Sequence, residues 1–344
     1  MILISIVVPF YNIEKEVILA CVNSIINQTY GNIEAFLIDD GNKKEISEYL
    51  DELARTYDCI NVIHQENSGV SVARNAGIMA SSGEYIVFVD GDDCLAPKAV
   101  EAFVKTAEST DADIIYGEHV VFKNECKFLD EEFAGPRILS DKNLVMRSMI
   151  SSGASTEIGL HGAPWGKAFN RKLLVNNNVF YDKSLPRSQD NEFNFRAVHF
   201  ANKLVYIPIK VYGYRESEES AMTRYRTDSK KIQELYLDTV INDAKKYDIY
   251  SMVEHDIAII TIIKFFDVCN TNVLHKQNRI SFGLKVKKVK RILSEKRYCD
   301  ALKSVKVSEF EGAPKLFVFL LKIRAYYLYC IAHCTRRKLK SLKR

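Results

Sequence analysis

The sequence predicts an α/β fold: a mostly parallel, Rossmann-like sheet with helices on both faces, followed by a helical C-terminal extension. Three observations carry this expectation. Short β-branched apolar runs alternate with amphipathic stretches over the first hundred positions, polar segments sit at the ends of those runs, and from about Thr227 the pattern turns almost wholly helical.

The first run, Leu3 to Val8, has no basic residues before it and leads straight into Pro9. It therefore predicts a first strand rather than a signal peptide, and a chain that stays in the cytoplasm. Ile33 to Ile38, Ile60 to Ile63 and Ile86 to Val89 predict three further strands. Between them Glu14 to Asn27, Lys44 to Tyr57 and Val70 to Ala80 predict helices. Ligands bind at the carboxyl ends of such strands, so Pro9-Phe10-Tyr11-Asn12, Asp39-Asp40-Gly41 and Asp90-Gly91-Asp92 are expected to line one crevice.

Pro97 suits the first position of a helix. Beyond it the pattern is mixed. Asp113 to Tyr116, Val120 to Phe122, Leu204 to Ile207 and Lys210 to Tyr214 predict strands, while Asp141 to Ser151 and Gln189 to Phe200 predict helices. The expected organisation is a domain over 1–224, in two halves (1–97 and 98–224), and a helical, basic region over 225–344.

Composition sets further bounds. A chain of 344 residues buries a large core. Its eight cysteines form no CxxC pair and no zinc spacing, which reads as reduced thiols. The net charge of +4 conceals an asymmetry: from Ser281 onward 18 Lys and Arg face 4 Asp and Glu, a net +14, while the first 280 residues carry 30 against 40, a net −10. The two parts are expected to meet different partners.

The acids at Asp90, Asp92 and Asp93 follow a buried strand, and Gly91 lets the backbone turn so that Asp90 and Asp92 converge. Hard oxygen ligands of this kind suit Mg²⁺ or Mn²⁺, and those ions suit a diphosphate. Alone, such a pair also caps helices and solvates loops.

Its context resembles the family 2 glycosyltransferases of the GT-A fold, over roughly residues 3 to 220. The resemblance rests on Ser5 to Asn12, on Gln28-Thr29-Tyr30-Gly31-Asn32-Ile33-Glu34 with Ile38-Asp39-Asp40-Gly41, on Glu66 to Gly77, and on Gly83 to Asp93 with the DxD metal motif. Trp165-Gly166-Lys167-Ala168-Phe169 resembles the family's acceptor segment, and Ser188-Gln189-Asp190-Asn191-Glu192-Phe193 resembles the segment bearing its catalytic base. Gln189 stands where the family usually has glutamate, and Asn42-Lys43-Lys44 where it often has serine and a further aspartate.

The resemblance implies an inverting, metal-dependent transfer of one sugar from a UDP-sugar, a hexose or N-acetylhexosamine, to a saccharide hydroxyl, giving a β-linkage. Asp92, with Asp90, would hold the Mn²⁺ or Mg²⁺ ion, and Asp190 would be the base. Pro9, Tyr11, Asn12, Asp39, Asp40, Asn67, Gly69, Arg74, Asp90 and Gly91 would surround the nucleotide. Trp165, Lys167, Gln189, Tyr214 and Arg215 would face the donor or acceptor sugar. Blander readings stand beside these: Asp190 as a helix cap, Trp165 as core, Arg74 as a structural ion pair, the Tyr212 and Tyr214 aromatics as packing, and His161 and His199 as structural histidines.

The segments Val286 to Leu293 and Lys315 to Tyr329 mix apolar and basic residues at helical spacing. Lys322 and Arg324 would sit in the middle of any bilayer span, so an in-plane amphipathic helix on an anionic membrane surface is expected instead. That fits a peripheral enzyme on the inner face of a bacterial membrane, acting on polyprenyl-diphosphate-linked oligosaccharides for capsule, O-antigen or exopolysaccharide. No nucleic-acid module surrounds the charges, and nucleic acid is not an expected partner. The Asp-x-Asp pair after an apolar strand also suits two other enzyme classes. A haloacid-dehalogenase-like phosphatase would use Asp90 as nucleophile, but its motif should open the domain. A sugar nucleotidyltransferase would need a glycine-rich N-terminal loop with a lysine or arginine.

Overall fold

The computed structural model describes residues 1–129, 134–151, 162–216 and 224–342, with side chains to Arg337. The chain forms two compact units. One comprises 1–146, 160–184 and 189–217; the other comprises 147–159, 185–188 and 218–344.

The first unit is a nine-stranded sheet with helices. In chain order it contains β1 (Ile4–Phe10), α1 (Lys15–Ile26), β2 (Ile33–Asp40), α2 (Lys44–Thr56), β3 (Ile60–Gln65), α3 (Val70–Ala80), β4 (Tyr85–Phe88), β5 (Cys94–Leu95), α4 (Ala99–Thr110), β6 (Ile114–Phe122) and β7 (Arg137–Ile138). It continues with α5 (Lys142–Ile150, ending in the second unit), β8 (Lys167–Asn170), α6 (Arg171–Asn176), α7 (Gln189–Phe200) and β9 (Leu204–Arg215). The strand order is β3-β2-β1-β4-β8-β6-β9-β5, with β7 on β9. Pairing directions set β1, β2, β3, β4, β6 and β9 running one way and β5, β7 and β8 the other. The expected mostly parallel sheet is therefore present. Its strand order reverses at β1, flanked by β2 and β4, and such a switch point opens a crevice at the strand ends.

The central strands are apolar throughout because both faces are covered. Ile4, Ile6, Val7, Val8, Ile86, Val87 and Phe88 are fully buried. Two pairs of expected short strands each merge into one. Val120 to Phe122 continues β6, and Lys210 to Tyr214 continues β9 across Pro208. The β6–β9 register slips between Tyr116 and Glu118, opposite that proline, which has no N–H to donate. The helix expected from Pro97 begins at Ala99. Strands β5, β7 and β8 are too short for periodicity to reveal.

The second unit is helical: α8 (Ser229–Lys246), α9 (Tyr250–Val268) running into a π-helical turn (Cys269–Val273), α10 (Phe282–Ser294), α11 (Lys296–Ser304), α12 (Gly312–Lys322) and α13 (Tyr326–Leu342). Phe265, Phe266, Tyr298, Phe317 and Tyr329 centre its core. Asp256, 1% exposed, accepts from Arg147 at 2.7 Å and Ser151 at 3.1 Å. The stretch expected as one in-plane helix is instead a helical hairpin, broken where Arg324 takes a left-handed φ of 60°. No helix among the described residues is long and apolar enough to cross a membrane.

Candidate active site

Three strand ends and one helix start bring the candidate residues together in the first unit. After β1, Asn12 turns with φ 54°. Its backbone N–H donates to Asn42 Oδ1 at 2.7 Å, and Asn42 Nδ2 returns to Phe10 O at 2.8 Å and Asp39 Oδ1 at 2.7 Å. Asn42, at a position where the chain departs from the family pattern, thus clips the loops after β1 and β2 together. Between them lies a cleft of about 340 Å³ lined by Tyr11, Asn12, Gly41, Asn42 and Lys43 among others. Pro9 lies within β1 above it, and Tyr11 is 56% exposed, so its ring is available to a ligand.

The two acids ending β2 are 2% and 3% exposed and are occupied internally. Asp39 accepts from the Asn42 backbone N–H at 2.9 Å and pairs with His64 at 2.7 Å. Burial alone would raise its pKa; hydrogen bonds from Ser47, Asn42 and His64 carry it below the ordinary value. Asp40 accepts from Gln65 at 2.7 Å, Ser68 N–H at 2.8 Å and Gly69 N–H at 2.9 Å, while Asn67 Nδ2 donates to Asp40 O at 2.9 Å. Asp39, Asp40, Asn67 and Gly69 therefore brace the loops behind the cleft. Gly41, at φ 74°, is required there: a Cβ would stand 2.6 Å from Asn67 N.

The DxD loop follows β4. Gly91 lies against Phe10, where a Cβ would approach the ring to 2.5 Å, so the turn closes on the end of β1. Asp90 accepts from Arg74 Nη2 at 2.7 Å, and the same guanidinium donates through Nη1 to Asp190, the second residue of α7, at 2.5 Å. Arg74 is 3% exposed and lies over the Tyr181 ring at 5.2 Å. Each terminal nitrogen of Arg74 thus donates to a carboxylate. Burial raises the Asp190 carboxyl above its ordinary value, and the Arg74 charge opposes that rise.

Asp92 differs from its neighbours. Among the described residues no side chain donates to its carboxylate, and burial, with Asp90 adding, raises its pKa. The Arg215 charge opposes that rise only in part, and a half-buried carboxylate beside a second one fits a hard divalent cation. No group of three or more His, Cys, Asp or Glu side chains forms a metal cage among the described residues. An ion held by Asp90 and Asp92 would complete its shell with water and phosphate oxygens, as Mg²⁺ commonly does.

Asp93, the next residue, has a structural role that the motif does not reveal. It accepts from Tyr212 OH at 2.6 Å and Arg215 N–H at 2.7 Å, and burial, with Asp90 adding, pushes it to about 8. Tyr212 OH in turn accepts from Asp90 N–H at 3.0 Å. The Arg215 guanidinium donates to Asp92 O at 2.7 Å and lies over Phe122 at 4.6 Å, so it holds the DxD backbone. The only sequence signal for these roles was the period-2 alternation that put Tyr212 and Tyr214 on one face of β9.

That face carries Trp165, stacked on Tyr212 at 4.7 Å and on Tyr214 at 5.5 Å. Tyr214 is 40% exposed, which leaves an aromatic platform open to a ligand. Lys167, 2% exposed, donates to Ala163 O and lies over Tyr116 at 5.4 Å; burial lowers its pKa to about 7. Gln189 opens α7 beside Asp190. His199 ends that helix, and burial lowers its pKa, in keeping with a structural role. His161 lies outside the described residues.

Comparison with known proteins identifies the class as glycosyltransferase. Residues 5–147 match the family model for glycosyl transferase family 2. The chain is 30% identical over 223 residues to the glycosyltransferase GlyG of Streptococcus pneumoniae, covering 64% of this chain and 73% of that one. It is 31% identical over 219 residues to the uncharacterized glycosyltransferase EpsJ of Bacillus subtilis, covering 63% of this chain but only 62% of EpsJ, less than two thirds. Among solved structures, S. aureus TarS 1-349 in complex with UDP-GlcNAc superposes with a TM-score of 0.62 at 17% identity, over 97% of this chain and 91% of that one. The chain belongs to glycosyl transferase family 2. That membership sets aside the phosphatase and nucleotidyltransferase readings.

Proposed function

We propose that the chain is an inverting transferase that moves one sugar from a UDP-sugar to a saccharide hydroxyl in bacterial surface polysaccharide synthesis. The observation that carries this is the Arg74 bridge, which fixes the DxD acid Asp90 and the candidate base Asp190 on one guanidinium. A donor diphosphate beside Asp90 and Asp92 and an acceptor hydroxyl beside Asp190 would then share one centre. The UDP-GlcNAc bound to TarS supports a uridine donor of the N-acetylhexosamine kind.

Tyr11 covers the base and the loops after β1 and β2 hold the cleft walls. Asp92 and Asp90 would hold a Mn²⁺ or Mg²⁺ ion, which would supply charge neutralisation for the departing diphosphate. Asp190 takes the proton of the incoming hydroxyl, with Arg74 aiming its carboxylate and opposing the rise that burial imposes on it. One base opposite the leaving group inverts the anomeric centre, so an α-linked donor yields a β-glycoside. Trp165 and Tyr214 give the acceptor an aromatic face to stack on. The acceptor is a polyprenyl-diphosphate-linked oligosaccharide, and the basic 225–344 region keeps the enzyme on the inner membrane face.

The test is release of UDP from a panel of UDP-sugars with and without Mn²⁺ or Mg²⁺, then transfer to lipid-linked acceptors. Turnover of one UDP-sugar that needs both metal and Asp190 supports the reading. Turnover only with another nucleotide, or full activity in Asp190→Asn, overturns it.

A further inference from the structure

The hairpin of α12 and α13 buries one stripe and leaves the other bare. Phe317, Val318, Leu320, Leu321, Tyr329 and Cys330 all enter the core of the helical unit, with Phe317 and Tyr329 meeting at 5.3 Å. Because both helices turn those stripes to the same core, their opposite stripes face outward. Those outer stripes are not polar. Leu316 is 49% exposed, Phe319 48%, Ile323 56%, Tyr327 58%, Leu328 55% and Ile331 43%. Leu316, Phe319 and Ile323 follow one another at spacings of three and four along α12 and its end, and Tyr327, Leu328 and Ile331 at spacings of three and four along α13. Each arm of the hairpin thus carries an exposed apolar stripe, and grouped exposed apolar surface of this kind marks an interaction site.

Charge selects the partner. From Gly312 to the end the sequence contains nine Lys and Arg and no Asp or Glu. Lys315, Lys322 and Arg324 are exposed within the ridge itself. Tyr327 meets Phe282 at 5.2 Å, which brings in the start of α10 with Leu284, 50% exposed, and the lysines that follow it. An apolar ridge studded with cations and free of anions complements a surface that is apolar below and negative above. A second copy of the chain would present the same cations to it, and like charges would oppose that pairing.

We propose that this outer ridge, Leu316 to Ile331, seats in an anionic bilayer, with Phe319, Ile323 and Leu328 entering the acyl boundary and Lys315 and Arg324 meeting lipid phosphates. The hairpin is the docking element, in place of the single in-plane helix that the sequence suggests. The inference deepens the membrane placement proposed above, but stands on the hairpin alone.

The full chain is sedimented with vesicles of phosphatidylglycerol and phosphatidylcholine, and with phosphatidylcholine alone, at low and high salt. Binding to the anionic vesicles is expected, at least tenfold weaker without phosphatidylglycerol and weaker in high salt. Phe319→Ser with Ile323→Ser and Leu328→Ser is expected to weaken it at least tenfold, as is Lys315→Gln with Arg324→Asn. Circular dichroism and UDP-sugar hydrolysis in solution should not change. Ile323→Ser alone provides a milder variant should the triple one fail to fold. Absence of vesicle binding, or binding that survives the apolar substitutions, overturns the proposal. So does a dimer in solution that those substitutions dissociate, since the ridge would then join two copies. Vesicle binding without hydrolysis of any UDP-sugar leaves docking intact and removes only the transferase reading.

Discussion

The guanidinium of Arg74 holds the carboxylate of Asp190 at 2.5 Å across 116 positions of sequence. Because it holds Asp90 at the same time, the two acids with separate chemical tasks share one positioning residue. Losing that cation would leave two carboxylates facing each other in a largely buried space. Arg74→Met is expected to destabilise the fold by about 3 kcal/mol, the low end for a broken buried pair because both acids keep some solvent access. Arg74→Lys, one point charge in place of a fork, should recover part of that stability and little activity. Thermal unfolding beside UDP-sugar turnover separates the two.

Asp190→Asn keeps the shape and removes the proton acceptor. Its kcat is expected to fall by about 10² to 10⁴, with UDP affinity within a factor of a few of the parent. Calorimetric titration of UDP alongside steady-state rates checks both halves. A loss of UDP binding equal to the loss of rate would place Asp190 in the donor site instead.

Trp165 is the chain's single tryptophan. Through Tyr212 it is one hydrogen bond from the Asp90 backbone. Paramagnetic Mn²⁺ added with UDP should therefore quench its emission, while Mg²⁺ should not. Asp92→Asn is expected to shift the Mn²⁺ dependence at least tenfold upward, and an unshifted curve would remove Asp92 from the ion.

Lys167 predicts a pH dependence of stability. Its pKa falls to about 7 in the folded protein and is about 10.4 in an unfolded chain. Between those values the unfolded state binds the extra proton, so this residue makes stability rise with pH, by up to about 1.4 kcal/mol per pH unit. Below pH 7 its cost is fully present. Urea unfolding at pH 6.5 and pH 9 should show that rise shrinking in Lys167→Met relative to the parent.

Asn42→Ala removes the clip between the loops after β1 and β2. Leaving the buried Asp39 and the Phe10 carbonyl short of donors is expected to cost about 1–3 kcal/mol and to raise the KM for the donor more than it lowers kcat. An unchanged KM would separate the clip from the nucleotide cleft.

Much of this fold was legible because its strands are buried on both faces and its helices on one. Runs such as Ile4 to Phe10 and Tyr85 to Phe88 announce themselves by composition. The short β5, β7 and β8 carry too few residues for a period, and Pro208 inside β9 argued locally for a break. At the site, residue types were readable and directions were not. Arg74 could have pointed at a phosphate or a carboxylate, and Asp39 and Asp40 at a base or at their own loops. Those choices are made largely by partners tens of residues away, such as His64, Gln65 and Asp190. The role of Asp93 was hidden for the same reason, since Tyr212 and Arg215 lie about 120 positions downstream.

The interleaving of the two units bears on inheritance and engineering. The chain passes from one to the other after residues 146, 159, 184, 188 and 217, so neither is a continuous stretch. No single cut releases one whole: a recombination event that swapped everything after residue 217 would exchange most of the helical unit but leave its segments 147–159 and 185–188 behind. Arg147 and Ser151, which donate to Asp256, would stay behind with the strand ends bearing Asp90 and Asp92, so an incoming helical stretch would have to bring an acid to meet them.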